Sequence, residues 1–248
     1  MAKVYFIGAG AGDKDLLTIK GLKALKRCDV VIYAGSLINK DILTYAKKDA
    51  EIYDSKSMTL TEIIKVIEEA IKENKNVARM HTGDPSLYGA ILEQTEELKK
   101  KNIEFEIIPG VTALFAAAAK LNISLTAPNS SQTITISRIE GKTKLPDNEK
   151  LTKLLCHGGT FCFYLSADKI HSIVEEFLKA GYKEDTPIAV CYKVSWPDEK
   201  IIKGTLKDII HKTAEIKKHA VVIVGDVLNM KPKEYSKLYD EKFSHTFR

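Results

Sequence analysis

One ten-residue segment organises this chain: His81-Thr82-Gly83-Asp84-Pro85-Ser86-Leu87-Tyr88-Gly89-Ala90. A short apolar run at 77–80 precedes it, and apolar residues recur at helical spacing over 91–98. The pattern predicts a strand, a turn and an amphipathic helix in that order. In open α/β sheets, small molecules bind at the carboxyl ends of strands. The turn is therefore a candidate ligand site.

The residues of this turn suit backbone contact with a ligand. Gly83 and Gly89 permit positive φ or close approach, Pro85 fixes the turn, and Asp84 adds a carboxylate. The same residue types are also common in β-to-α connections that bind nothing. Taken alone, the turn leaves both interpretations open.

Strands and helices alternate on both sides of the turn. Predicted strands at 4–7, 30–33, 77–80 and 105–108 are separated by helical patterns, which favours a mainly parallel sheet. Pro109-Gly110-Val111-Thr112 interrupts the alternation, and a second α/β series follows with strands at 133–137, 160–165, 187–192 and 220–224. We expect two α/β domains, residues 1–117 and 118–248.

Composition narrows the function class. The 248 residues are 44% hydrophobic, and no apolar run approaches the roughly 20 residues of a membrane helix. The amino terminus enters a strand without an apolar leader, so we expect a cytoplasmic protein with no membrane association. Four cysteines lack C-x-x-C spacing, which predicts reduced thiols and no protein-bound metal. A dispersed net charge of +5 argues against nucleic acid and suits a small polyanionic substrate.

A second glycine loop, Gly8-Ala9-Gly10-Ala11-Gly12-Asp13, follows the first predicted strand. The dinucleotide-binding fingerprint requires glycine where Asp13 stands, and it requires an acid after the second strand, where Ala34-Gly35-Ser36 stands. Common nucleoside-type methyltransferases carry an acid at the position of Phe6. The chain also lacks G-K-[ST] after the loop and a G-x-S-x-G elbow. Nicotinamide, nucleoside-type methyltransferase, P-loop and serine hydrolase chemistry are therefore disfavoured.

Several motifs together resemble the tetrapyrrole methylase family. They are G-A-G-A-G-D at 8–13, L-L-T-I-K-G at 16–21, G-D-P-S-L-Y-G at 83–89, P-G-V-T-A at 109–113 and F-Y-L-S at 163–166. They occur in order across nearly the whole chain. Ala11 departs from the pattern, because the family usually has proline there.

The resemblance implies two αβα domains, with S-adenosylmethionine as cosubstrate in the cleft between them, and a homodimer. It implies that the first glycine loop, with Gly8, Gly10 and Gly12, faces the tetrapyrrole. Carried over by motif, the donor-binding residues are Gly83, Asp84, Pro85, Tyr88, Thr112, Ala113, Leu165 and Val221. Val221 suits a core position equally well.

The resemblance also suggests roles on the acceptor side. Asp13 is the candidate catalytic residue, either accepting a pyrrole N–H hydrogen bond or removing a proton, and a helix N-cap is the alternative. Ser36 and Arg138 are candidate substrate-binding residues. With Arg138, Lys20 and Lys142 are candidates for the carboxylates of the substrate. We expect Asp84 to act at the polar end of the donor rather than at its sulfur.

Two further stretches are similar to one branch of the family. Y-A-G-S-L at 33–37 and Q-T-I-T-I-S-R-I-E-G-K-T at 132–143 resemble enzymes that methylate precorrin-4 or cobalt-precorrin-4 at C-11 in cobalamin synthesis. Three alternatives stay open. They are methylation of uroporphyrinogen or another precorrin, the diphthamide-forming branch with its protein acceptor, and a non-catalytic protein that retains the cleft.

Overall fold

Two β-sheets, each packed against helices, organise the computed structural model, which describes residues 2–128, 130–141 and 143–229. The chain divides into two units. The first contains the residues up to Ala116 together with the segment Lys193–Asp198. The second contains Ala117–Tyr192 and the described residues from Glu199 onward.

The first sheet is entirely parallel, as the alternating pattern predicts. Its strands are β1 (Val4–Gly8), β2 (Val30–Tyr33), β3 (Glu51–Asp54), β4 (Val77–His81) and β5 (Phe105–Ile108), in the spatial order β3-β2-β4-β1-β5. Because all five strands run in one direction, their carboxyl ends lie along one edge. The first glycine loop, the turn at Gly83 and the Pro109-Gly110 loop all begin at that edge.

Helices cover both faces of this sheet. They are α1 (Ile19–Leu25), α2 (Leu60–Lys72) and α3 (Leu92–Lys100), and α4 (Ala113–Leu121) follows β5. Leu25 of α1 packs with Ile7 and Met80 on one face, whereas α2 and α3 pack on the face that contains Phe6 and Val77. A capping box between Thr59 and Glu62 begins α2.

The second unit contains a mixed sheet. Its strands are β6 (Ile134–Arg138), β7 (Thr160–Tyr164), β8 (Pro187–Tyr192), β9 (Lys200–Thr205) and β10 (Ala220–Val224), and its helices are α5 (Leu151–Leu154), α6 (Ile170–Lys179) and α7 (Ile209–Lys212). The order is β6-β7-β10-β8-β9, and the β6–β7 pair is parallel while the other three pairs are antiparallel. Phe177 of α6 packs edge-on against Phe161 and Phe163 of β7. The predicted α/β fold with two sheets is confirmed.

The structure differs from the sequence-based assignment at several elements. Strands β3 and β9 were not predicted; each lies at the end of its sheet and carries several exposed or half-buried residues. The sequence pattern predicts a helix over 90–100, but helix α3 begins only at Leu92, because Tyr88 and Ala90 have φ angles of 55° and 49°, which a right-handed α-helix does not accommodate. The sequence pattern also predicts a helix over 206–216, and the structure forms only the shorter α7 within that range. Within the described ranges, no helix has the length and apolar character needed to cross a bilayer.

Candidate active site

Three glycines from three loops meet at the carboxyl edge of the first sheet. Gly8 ends β1, Gly83 follows β4, and Gly110 follows β5. A Cβ on Gly8 would lie 2.6 Å from the Gly110 Cα, and a Cβ on Gly110 would overlap the Gly83 carbonyl oxygen. We call these three residues the glycine cradle. Its loops are in backbone contact, so side chains are sterically excluded there.

The two glycine loops singled out by the sequence are joined directly. Gly83 N–H donates to the Gly10 carbonyl over 2.8 Å, and Gly10 N–H donates to the Gly83 carbonyl over 3.3 Å. Ala9 N–H donates to the His81 carbonyl over 2.7 Å. The loop assigned to the acceptor and the turn assigned to the donor are therefore joined by backbone hydrogen bonds, although the sequence motifs predict two separate sites.

Asp84 ties the turn to the loop after β5. Its Oδ2 accepts from Gly110 N–H over 2.9 Å, while Oδ1 accepts from Ser86 N–H over 2.8 Å and from the Ser86 hydroxyl. Partial burial raises the pKa of Asp84, but the hydrogen bonds from Ser86 and Gly110 outweigh it and hold the pKa below its ordinary value. Asp84 is thus an anion whose two oxygens bind the protein itself, and its contact with a donor remains a prediction.

The other donor-site candidates of the first unit lie on the same connections. Thr112 is buried, with its Cα 3.4 Å from the position of a Cβ on Gly83. Ala113 begins α4 directly after it. Pro85 is buried, and its carbonyl packs so closely on Gly89 that a Cβ there would overlap it. Tyr88 adopts the left-handed conformation with 43% of its surface exposed.

Asp13 lies at the end of the first glycine loop and is exposed. Its Oδ1 accepts from Asp15 N–H over 2.9 Å and caps a short 3-10 helix, Lys14–Leu16, so the N-cap alternative is confirmed. Its backbone N–H donates to the Ser195 hydroxyl over 3.0 Å. Capping uses one carboxylate oxygen, and the other has no hydrogen-bond partner in the described part of the chain. The cap and a chemical role are therefore compatible.

A segment distant in sequence packs on this loop, and motif analysis missed it. The tryptophan segment, Lys193–Asp198, carries the only tryptophan of the chain. Trp196 Nε1–H donates to the Ala11 carbonyl over 3.1 Å, and its ring occupies the space that a Cβ on Gly12 would need. The close approach of Trp196 is by itself sufficient to exclude a side chain at position 12, and contact of Gly12 with the tetrapyrrole stays a prediction. The available signal was a single tryptophan in a Ser-Trp-Pro-Asp turn.

The candidate acceptor contacts outside the loop belong to both units: Ser36 and Lys20 to the first, and Arg138 to the second. Ser36 is exposed in the loop after β2. The Arg138 guanidinium donates to the carbonyls of Thr143 and Lys144 over 3.0 and 3.1 Å. Lys20 pairs with Glu106 at 2.6 Å, and hydrogen bonds from Lys20 and Lys3 lower the pKa of Glu106 to about 2. Arg138 and Lys20 thus have protein partners, and Lys142 lies outside the described residues.

Two candidates belong to the second unit. Leu165 follows β7 with φ of 52° and 61% of its surface exposed, an unfavourable conformation for a large apolar residue and one that is enriched at functional sites. Val221 is buried in β10, where it pairs with Cys191. Its environment is that of a core valine.

His81, at the end of β4, is buried with its Nε2 unpartnered among the described residues. Burial, assisted by the positive charge of Arg79, lowers the pKa of His81 to about 3, although a hydrogen bond with the Gly89 backbone opposes the shift. His81 is therefore neutral in the folded protein at neutral pH. Below about pH 6.5 the His81 imidazole is therefore protonated in the unfolded chain but still neutral in the folded protein.

This shift predicts acid destabilisation. The unfolded chain binds a proton at His81 below about pH 6.5, whereas the folded chain binds it near pH 3, so stability falls as the pH drops between those values. At pH 5 the expected loss is about 2 kcal/mol. Urea unfolding at pH 7.5 and pH 5.0 measures how much free energy of unfolding is lost on acidification. In His81→Phe this loss should be smaller than in the wild type by about that amount. The exposed His171→Gln serves as control, and parallel acid losses in wild type and His81→Phe would exclude His81 as the cause.

Comparison with known proteins places these features in context. The sequence model of one protein family, the tetrapyrrole (corrin/porphyrin) methylases, matches residues 3–210 of this chain. A cobalt-precorrin-4 C(11)-methyltransferase of Methanocaldococcus jannaschii is 54% identical over 248 residues, covering 99% of this chain and 96% of the relative. A protein of the same description from Priestia megaterium is 46% identical, covering 99% and 97%. The X-ray structure of a cobalt precorrin-4 methyltransferase of cobalamin biosynthesis superposes with a TM-score of 0.89 at 44% identity, covering 92% and 96%.

Proposed function

This chain belongs to the tetrapyrrole methylase family, and from that membership we propose that it methylates cobalt-precorrin-4 or precorrin-4 at C-11 in cobalamin biosynthesis, with S-adenosylmethionine as donor. Similarity in both sequence and structure carries the proposal. The M. jannaschii relative with this activity is 54% identical across 99% of the chain, and a structure with the same activity matches at a TM-score of 0.89. A precorrin-4 C(11)-methyltransferase of Pseudomonas aeruginosa is 40% identical, which keeps the cobalt-free acceptor within the proposal.

The residues of the first unit fit the donor. When bound, S-adenosylmethionine supplies a sulfonium methyl group, and transfer to a ring carbon requires alignment and exclusion of water more than strong acids or bases. The glycine cradle and Thr112 present closely packed backbone at the sheet edge, where a polar ligand can be held without an intervening side chain. The residues of the first unit that are proposed to hold the donor are Gly83, Asp84, Pro85, Tyr88, Thr112 and Ala113. From the second unit, Leu165 and Val221 are also proposed to contact it.

On the acceptor side, Asp13 is the proposed catalytic residue. Its carboxylate is exposed on the first glycine loop and keeps one oxygen outside the cap interaction. That oxygen is suited to accept a pyrrole N–H hydrogen bond or a proton. Gly8, Gly10, Gly12, Ser36 and Arg138 are proposed to contact the tetrapyrrole.

We also propose that the protein is a cytoplasmic homodimer acting on a small molecule, with no nucleic-acid or membrane partner and no protein-bound metal. The mild net charge of +5 is consistent with a polycarboxylate substrate. Ile19, Leu92 and Phe115 of the first unit are each more than half exposed, which favours a further protein contact. Within the described residues, no three His, Cys, Asp or Glu side chains are grouped for metal binding.

The acceptor assignment predicts a specific product. Among tetrapyrroles incubated with the donor, cobalt-precorrin-4 or precorrin-4 should gain one methyl group at C-11, while uroporphyrinogen should show a kcat/KM about a hundredfold lower, a difference of about 2.7 kcal/mol in transition-state binding. Mass spectrometry counts the methyl groups, and NMR of isotopically labelled product locates them. Methylation at another carbon, or preference for uroporphyrinogen, would reject the branch assignment, and transfer only to a protein would favour the diphthamide-type alternative.

A further inference from the structure

Strand β4 places two buried polar side chains beneath the donor-site turn. Arg79 and His81 alternate with Met80, so they lie on the same face of the sheet, and they are 6% and 5% exposed. No salt bridge to Arg79 occurs among the described residues, although burial lowers its pKa only to about 10 and leaves it charged at neutral pH. A buried cation without an anion is unfavourable. Its presence requires a structural or functional reason.

Both side chains connect to the segment between the turn and α3. Arg79 Nε–H donates to Gln94 Oε1 over 2.9 Å, and the Gln94 amide donates to the Ala90 carbonyl over 2.8 Å. His81 lies beside the Gly89 backbone, which acts to raise the pKa of the imidazole against the effect of burial. Arg79 is linked to Ala90 through Gln94, and His81 lies beside the preceding residue.

That segment is held in an unfavourable backbone conformation. Tyr88 and Ala90 have positive φ, which L-residues with a Cβ rarely adopt. Helix α3 has no side-chain cap that would fix its beginning. The hydrogen bond from Gln94 to Ala90, with Gln94 held in turn by Arg79, therefore helps to hold this segment in its geometry, next to Tyr88.

We propose that Arg79, Gln94 and His81 are positioning residues that fix Tyr88 and the turn from Gly83 to Gly89 for donor binding. The inference rests on the proposed function, because it takes this turn as the donor site. None of the three residues is assigned a contact with the donor. Their effect passes through Gly89 and Ala90.

Two substitutions at Gln94 separate positioning from general stability. Gln94→Glu keeps an oxygen for Arg79 but loses the amide that donates to Ala90, whereas Gln94→Met loses both interactions. We expect both variants to bind S-adenosylhomocysteine about tenfold more weakly, the equivalent of one ordinary hydrogen bond. Gln94→Glu should keep the melting temperature of the wild type, and Gln94→Met should lower it. A purely structural role would make affinity follow stability.

Thr95→Val is the matched control. Thr95 is buried on the same helix and its hydroxyl donates to the Leu92 carbonyl over 2.9 Å, away from residues 89–90. This variant should bind S-adenosylhomocysteine like the wild type in titration calorimetry. Wild-type affinity in Gln94→Glu, or losses of affinity that follow melting temperature across the three variants, would overturn the inference.

Hydrogen–deuterium exchange distinguishes this inference from the proposed function. Amides of residues 86–91 should exchange about tenfold faster in both Gln94 variants than in Thr95→Val, whether or not a ligand is present. If the wild type binds no S-adenosylhomocysteine, the donor assignment fails while faster exchange still supports the anchoring of the turn. Unchanged exchange in both Gln94 variants would overturn the anchoring itself.

Discussion

Gly110→Ala should abolish methyl transfer and weaken S-adenosylhomocysteine binding by more than about a hundredfold, a loss of at least about 2.7 kcal/mol. The new Cβ would overlap the Gly83 carbonyl oxygen and lie 2.7 Å from the Gly8 Cα. Both neighbours are backbone and cannot rotate away. The loops must separate, which also breaks the 2.9 Å hydrogen bond from Gly110 N–H to Asp84.

The same substitution should lower the free energy of unfolding by about 3 kcal/mol, combining overpacking with loss of a hydrogen bond to a charged group. Urea unfolding measures this change, and titration calorimetry measures the affinity. Gly141→Ala is the control, because a Cβ there would meet the flexible end of Lys169, whose Nζ lies 2.6 Å away. A Gly110→Ala protein with wild-type affinity would show that the glycine cradle does not shape the donor site.

The sequence predicted the parts of the site that depend on local pattern. Apolar runs followed by glycine turns identified β1, β4 and β5 and placed the turn at Gly83 at the end of a strand. Contact among Gly8, Gly83 and Gly110 depends instead on the strand order β4-β1-β5. Periodicity does not encode strand order, so the joining of the two loops emerged only from the fold.

The tryptophan segment shows the same limit over a longer distance. Trp196 and Ala11 are 185 positions apart, and no local pattern links them. The hydrogen-bond partners of side chains could not be predicted from the sequence either. Arg138 was a candidate for substrate binding because of its charge, but its guanidinium donates to the Thr143 and Lys144 carbonyls of a neighbouring loop. The unpredicted strands β3 and β9 lie at sheet ends, where partial exposure removes the continuous apolar run that identifies a buried strand.

Asp13→Asn should reduce kcat by about a hundredfold or more, the range expected when a proton-accepting or charge-stabilising group is removed. Asparagine caps a helix as well as aspartate, so its side-chain oxygen should still accept from Asp15 N–H and preserve the short 3-10 helix. The substitution removes the negative charge while retaining the shape of the loop. Single-turnover assays with cobalt-precorrin-4 measure the effect, and calorimetry should show unchanged S-adenosylhomocysteine affinity.

Asparagine is preferable to alanine because the loops of Asp13 and Gly83 share the Gly10–Gly83 hydrogen bonds, so loss of the cap would disturb both. Asp15→Asn is the matched control, since that carboxylate accepts from the Tyr45 hydroxyl over 2.9 Å and has no proposed role in the reaction. It should retain most of the activity. Wild-type kcat in Asp13→Asn would remove Asp13 from the mechanism. Loss of S-adenosylhomocysteine binding, with an unchanged circular dichroism spectrum, would instead assign the first glycine loop to the donor.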